Sequence, residues 1–175
     1  MLINAKKGII IVAFVLILIS IMYGIYQIKI IITPYTELLF PDIKTEKEIQ
    51  NFFDANKEEV EKLVGVFNAL PYDEIIIYDW LLEEDHAIYV NDELYMLEDV
   101  VGDSQQIYSF VKKNKIDCIL KTERNVYIIM DTAIDYEQGI VYDFDGNGEF
   151  QSKEMADIYY KKHMSKKYWF FKGRD

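Results

Sequence analysis

The densest cluster of groups able to do chemistry is the run from Asp143 to Glu154, DFDGNGEFQSKE. Read as a twelve-residue EF-hand calcium loop, it sets Asp143, Asp145 and Asn147 at the first, third and fifth positions, where side-chain oxygens meet the ion. Gly148 then falls at the sixth position, where the chain must turn sharply, and Glu154 at the twelfth, which supplies a bidentate carboxylate. Glu149 would lend a backbone carbonyl and Gln151 a contact through water. The same letters serve a second purpose, because Asp-Gly and Asn-Gly tolerate positive φ and are the strongest short hairpin signals. The segment entering the loop, GIVYDF from Gly139, alternates like a strand where an EF-hand needs a helix. The expectation is therefore a hairpin turn, with weak Ca2+ binding by Asp143, Asp145, Asn147, Glu149 and Glu154 as the alternative.

Other reactive side chains are sparse. His86 follows Glu83, Glu84 and Asp85, where a carboxylate could raise its basicity, but a turn leading into a strand accounts for the same residues. His163 lies among Lys161, Lys162 and Lys166, a poor setting for a metal ligand. Cys118 is the only cysteine, so no intrachain disulfide can form. Two-residue alternation sets Ile116, Cys118 and Leu120 on one face of a strand, which predicts a buried, unreactive thiol. No Gly-x-Ser-x-Gly, His-Glu-x-x-His or phosphate-binding glycine loop occurs. The expectation is a protein that is not an enzyme, with no catalytic residues and no resident cofactor.

The elements that hold these residues begin with a helix. Thr45 can cap it while Glu48 reaches back, and Ile49, Phe52, Phe53, Val60, Leu63, Val64, Phe67 and Leu70 recur at helical spacing until Pro71 stops it. Short alternating runs follow: EIIIYDW from Glu74, HAIYV, and ELYML after Asn91-Asp92. A second helix is expected from Asp103 to Lys113 with Ile107, Phe110 and Val111 inward, then strands at 117–121 and 125–131. A last helix is expected near Glu154 to His163, before a closing aromatic strand, YWFF. Six basic residues interleave with the aromatics of the tail from Tyr159; the expectation is a core strand, with contact to the membrane interface as the alternative. Strands joined by short turns with few helices predict an α+β fold with a mainly antiparallel sheet and about three helices.

Ahead of this domain, Gly8 to Tyr26 run without a charge, bracketed by Lys6, Lys7 and Lys29. That length suits a helix crossing the roughly 30 Å hydrocarbon core and exceeds the apolar core of a cleaved signal. The expected plan is a cytoplasmic leader at 1–7, a transmembrane signal anchor at 8–28, a linker at 29–44 and an exported domain at 45–175. All 30 acidic residues follow Thr33 with 16 of the 19 basic ones, a formal charge of −14. Such a surface repels nucleic acid and suits a cationic peptide, an envelope protein or a divalent metal.

The basic leader, the single span, the Phe-rich helix with FFDANKEEVEKLV, GIVYDFDG and the closing YWFF together resemble small uncharacterised single-pass proteins of low-GC Gram-positive bacteria. Some of those resemble self-protection proteins against secreted toxins. The resemblance implies a binding or immunity-like role in the cell membrane and carries no catalytic residue.

Overall fold

Helix α1, Glu46–Ala69, begins where its cap demands. In this computed structural model, which describes residues 43–102, 104–133, 136–150 and 157–174, the Thr45 hydroxyl accepts from the Glu48 amide at 3.3 Å. The Glu48 carboxylate in turn accepts from the Thr45 amide at 2.6 Å, so two otherwise orphaned donors are satisfied reciprocally. The helix kinks at Asn56 (φ −117°, ψ 19°), whose side-chain amide donates to the Phe52 carbonyl at 2.9 Å. It stops at Ala69, with Leu70 already extended ahead of Pro71. Its buried face is Ile49, Phe53, Val60, Leu63, Val64 and Phe67. The expected membrane span at 8–28, the leader and nearly all of the linker lie outside the described residues. Among the described residues no helix is long and apolar enough to cross a membrane.

The chain then builds one antiparallel sheet of eight strands, in the order β3-β2-β1-β4-β5-β6-β8-β7. The strands are β1 Ile75–Tyr78, β2 Ala87–Val90, β3 Glu93–Met96, β4 Cys118–Lys121, β5 Asn125–Ala133, β6 Tyr136–Asp143, β7 Asp157–Ser165 and β8 Tyr168–Arg174. Helix α2 (Asp79–Glu84) links β1 to β2, while α3 (Leu97–Val101) and α4 (Ser104–Asn114) return the chain from β3 to β4. The fold is α+β, as the alternation of apolar residues predicts, and the sheet is antiparallel throughout.

Strand alternation gives the sheet two apolar faces. On the helix side Ile77, Ile119, Val126, Ile128, Ile140 and Phe170 pack with α1 and α4. On the other side Ile76, Leu120, Tyr127, Ile129, Val141 and Phe171 form a second cluster. Fully burying one such large apolar side chain contributes roughly 1.5–3 kcal/mol, so β5, β6 and β8, apolar on both faces, anchor the domain. Gly139 belongs in this centre for steric reasons: a Cβ there would stand 2.0 Å from the Ile128 carbonyl oxygen, beside the register shift between Ile129 and Asp131. Next to that shift, the buried Asp131 and Gln138 secure the chain entering α1. Lys44 donates from Nζ to the Asp131 carboxylate at 2.7 Å, and Gln138 Nε2 donates to the same carboxylate at 2.7 Å.

Four expectations need correction. Residues 157–163, expected to be helical, form most of β7, because pairing along β8 from Asp157↔Arg174 to Ser165↔Tyr168 outweighs a local helical pattern. The run EIIIYDW does not stay extended: Asp79 and Trp80 open α2. Ile116 does not share a face with Cys118 and Leu120. Lys115 turns the chain at φ +52°, the strand starts only at Cys118, and Ile116 packs into the helix-side core. The turn after Asp143 closes no hairpin, since β6 pairs with β8 and the segment from Phe144 leads to β7, two places away.

Candidate functional site

The sheet divides by charge. No Lys or Arg lies between Lys62 and Lys112, a stretch holding eleven Asp and Glu residues and all of β1, β2 and β3. At the far edge, residues 157–174 carry six basic residues and one acid, Asp157. At the border of the acidic half, where β1 meets β4, β5 and β6, a cleft of about 450 Å³ opens on the face away from α1, with Cys118, Leu120 and Ile129 among its walls.

Two strand ends assemble its rim. Tyr78 pairs with Cys118 across β1 and β4, and one step further the Asp79 amide donates to the Asp117 carbonyl at 3.1 Å, so the two carboxylate-bearing residues stand side by side. Asp117 is anchored from β5: its Oδ2 accepts from the amide and from the hydroxyl of Thr132, both at 2.8 Å. Burial pushes the Asp117 carboxyl above the usual carboxylate range, and the two Thr132 hydrogen bonds oppose that rise. Glu137, opposite Thr132 in the β5–β6 register, completes the acidic rim. Trp80 is 52% exposed and stacks on Tyr78 with ring centroids 5.9 Å apart and planes 23° from parallel, and Tyr89 meets Tyr78 edge-on at 6.3 Å. Carboxylates beside exposed π faces suit a positively charged group, which gains both Coulomb attraction and the ring quadrupole.

Cys118 is buried in the cleft wall, and desolvation drives its thiol pKa far up, so it is held as an unreactive thiol. His86 sits in a left-handed turn (φ +51°) with its ring 5.4 Å from that of Tyr108. Of the neighbouring acids, Glu83 pairs with Lys112 at 2.8 Å, and the pocket of about 400 Å³ beside His86 is lined by one carboxylate, Glu98, among the described residues. His163 meets the Trp169 ring edge-on at 4.8 Å and the Lys166 carbonyl at 2.7 Å.

The loop after β6 uses its oxygens internally. Asp143, buried, accepts from the amides of Asp145 (3.0 Å) and Gly148 (2.7 Å), which reverses the chain as it leaves the strand. Gly148 needs its φ of +71°, and a Cβ there would press on the Trp169 ring at 2.9 Å. Asp145 accepts from Arg124 Nε at 2.7 Å, and the Asn147 side-chain oxygen accepts from the Glu149 amide at 2.8 Å. Lys161 and Lys167 donate to the Gly148 and Phe144 carbonyls. Gln151 and Glu154 lie outside the described residues. Among the described residues no three His, Cys, Asp or Glu side chains gather as a metal site would require.

Sequence reasoning missed the cleft, because Asp79 and Asp117 meet only through the pairing of β1 with β4. The available signal was that two strands each end next to an aspartate, in YDW and in IDC. No protein-family model, no curated protein and no solved structure matches this chain.

Proposed function

We propose that this chain is a membrane-anchored, extracytoplasmic binding or protective module, immunity-like in role, which meets a cationic peptide or envelope protein through the acidic half of its sheet. The observation that carries this reading is the cleft, where Asp79 and Asp117 stand beside the exposed Trp80 ring. The uncharged run Gly8 to Tyr26 is the anchor, and Lys6 and Lys7 hold the leader inside. The calcium-responsive alternative has less support: the Asp143 carboxylate is spent on two backbone amides and that of Asp145 on Arg124.

The test is titration of the full chain, held in lipid nanodiscs, with a lysine-rich peptide and a glutamate-rich peptide of equal length, following Trp fluorescence and heat. Binding of the lysine-rich peptide alone, weakening as salt rises, is the expected result. Asp79→Asn combined with Trp80→Ala weakens it about tenfold or more, as loss of a cation–π contact and a charge requires. Equal affinity for both peptides, or no effect of the double substitution, overturns the reading.

A further inference from the structure

The two edge strands of the sheet are treated in opposite ways. β7 carries the usual protections against strand addition: consecutive lysines, Lys161 and Lys162, and two register shifts against β8. β3 has neither. Its register with β2 is regular from Ala87↔Met96 to Val90↔Glu93, it holds no Lys or Pro, and among the described residues it has one neighbour strand. Three of its four side chains are large and exposed: Leu94 at 57%, Tyr95 at 42% and Met96 at 43%. A regularly paired edge strand without lysines or register shifts, and with exposed apolar side chains, is a template for another backbone even when it is short. Its surroundings select the sign of that backbone, for Glu93 opens it, Asp92, Glu98 and Asp99 flank it, and no basic residue belongs to β1, β2, β3 or their connections. The pocket of about 400 Å³ beside His86, with Met96 and Leu97 in its lining, can take one apolar side chain of the incomer.

We infer that β3 is a docking edge to which an extended, lysine- or arginine-bearing segment of a partner protein adds as a ninth strand. A second β3 is disfavoured as the occupant, because its own Asp92 and Glu93 would meet the same acids. The inference deepens the function proposed above and rests on it for the partner's positive charge.

The experiment adds a peptide of alternating lysine and valine to the full chain in nanodiscs, alongside the same peptide with alternate backbone amides N-methylated. Methylation keeps every side chain and charge and removes the hydrogen bonds of a ladder. The expected result is that the methylated peptide binds at least tenfold more weakly. The outward-facing amides of Leu94 and Met96 then become protected from hydrogen exchange only with the unmodified peptide. Leu94→Lys with Met96→Lys, at exposed positions where folding is untouched, lowers affinity by a similar factor. If both peptides bind alike, recognition is electrostatic only: the edge inference falls while the cationic-partner reading stands. If neither binds, both fall. If the chain alone forms dimers that the paired lysine substitutions dissociate, the occupant is a second copy and the inference is overturned.

Discussion

At one end of the sheet β1, β2 and β3 run four residues each, amid acids; at the other β5, β6, β7 and β8 run seven to nine, ending in a basic tail. The long half packs against α1 on one face and buries Tyr127, Val141 and Phe171 on the other. The short half is backed by the lesser helices α2, α3 and α4 and leaves Trp80, Leu94 and Met96 exposed. Apolar burial scales with the area removed from water, so stability concentrates in the long half. The short half tolerates unfavourable groupings of like charge and exposed apolar side chains because the rest of the domain supports them.

The largest effect that would test this division comes from the long half. Phe53 is fully buried in α1, with its ring 4.8 Å from that of Tyr168. Phe53→Ala is expected to cost about 3–5 kcal/mol in chemical denaturation. A loss below about 1 kcal/mol would mean that α1 is not what stabilises the long strands.

A smaller effect belongs to the short half. Burial raises the folded-state pKa of Asp117 above that of the unfolded chain. The folded form therefore holds this proton more tightly. The stability so gained is complete below the unfolded carboxylate range and is lost as pH rises through the folded pKa. Asp117→Asn, whose side-chain oxygen can still accept both Thr132 hydrogen bonds, should remove that decline. Melting temperatures measured against pH for both proteins decide the matter, and parallel curves would show that Asp117 is not the titrating group.

The smallest effect is expected on the basic edge. Lys162 Nζ lies 2.6 Å from Glu46 Oε1, but the lysine side chain is well exposed, and solvent screens such a pair. Lys162→Ala should leave the melting temperature unchanged within error while raising self-association on size-exclusion chromatography, because a protecting charge leaves β7. A clear drop in melting temperature with no change in association would assign Lys162 to stability instead.

How far the sequence reaches differs between these regions for a physical reason. Helix α1 was legible to its first residue, since Thr45, Glu48 and the spacing from Ile49 to Phe67 are local signals and its cap forms within four residues. The buried face of α4, Ile107, Phe110 and Val111, follows from the same rule. β7 was not legible: six of its nine side chains are exposed and none is buried, so no two-residue alternation marks it, and only β8 makes it a strand.

The sequence by itself determined which segments could bury an apolar face, that the fold is α+β, and that acidic and basic residues are separated along the chain. Periodicity and charge are properties of neighbours in the chain, so they survive without a partner. Tertiary structure alone decided that Asp79 meets Asp117 at one cleft, that Asp143 closes a turn leading away from β6, and that β3 and β7 become the two edges. Each depends on which distant strand pairs with which, and that is set by the summed burial of two sheet faces rather than by any short run of residues.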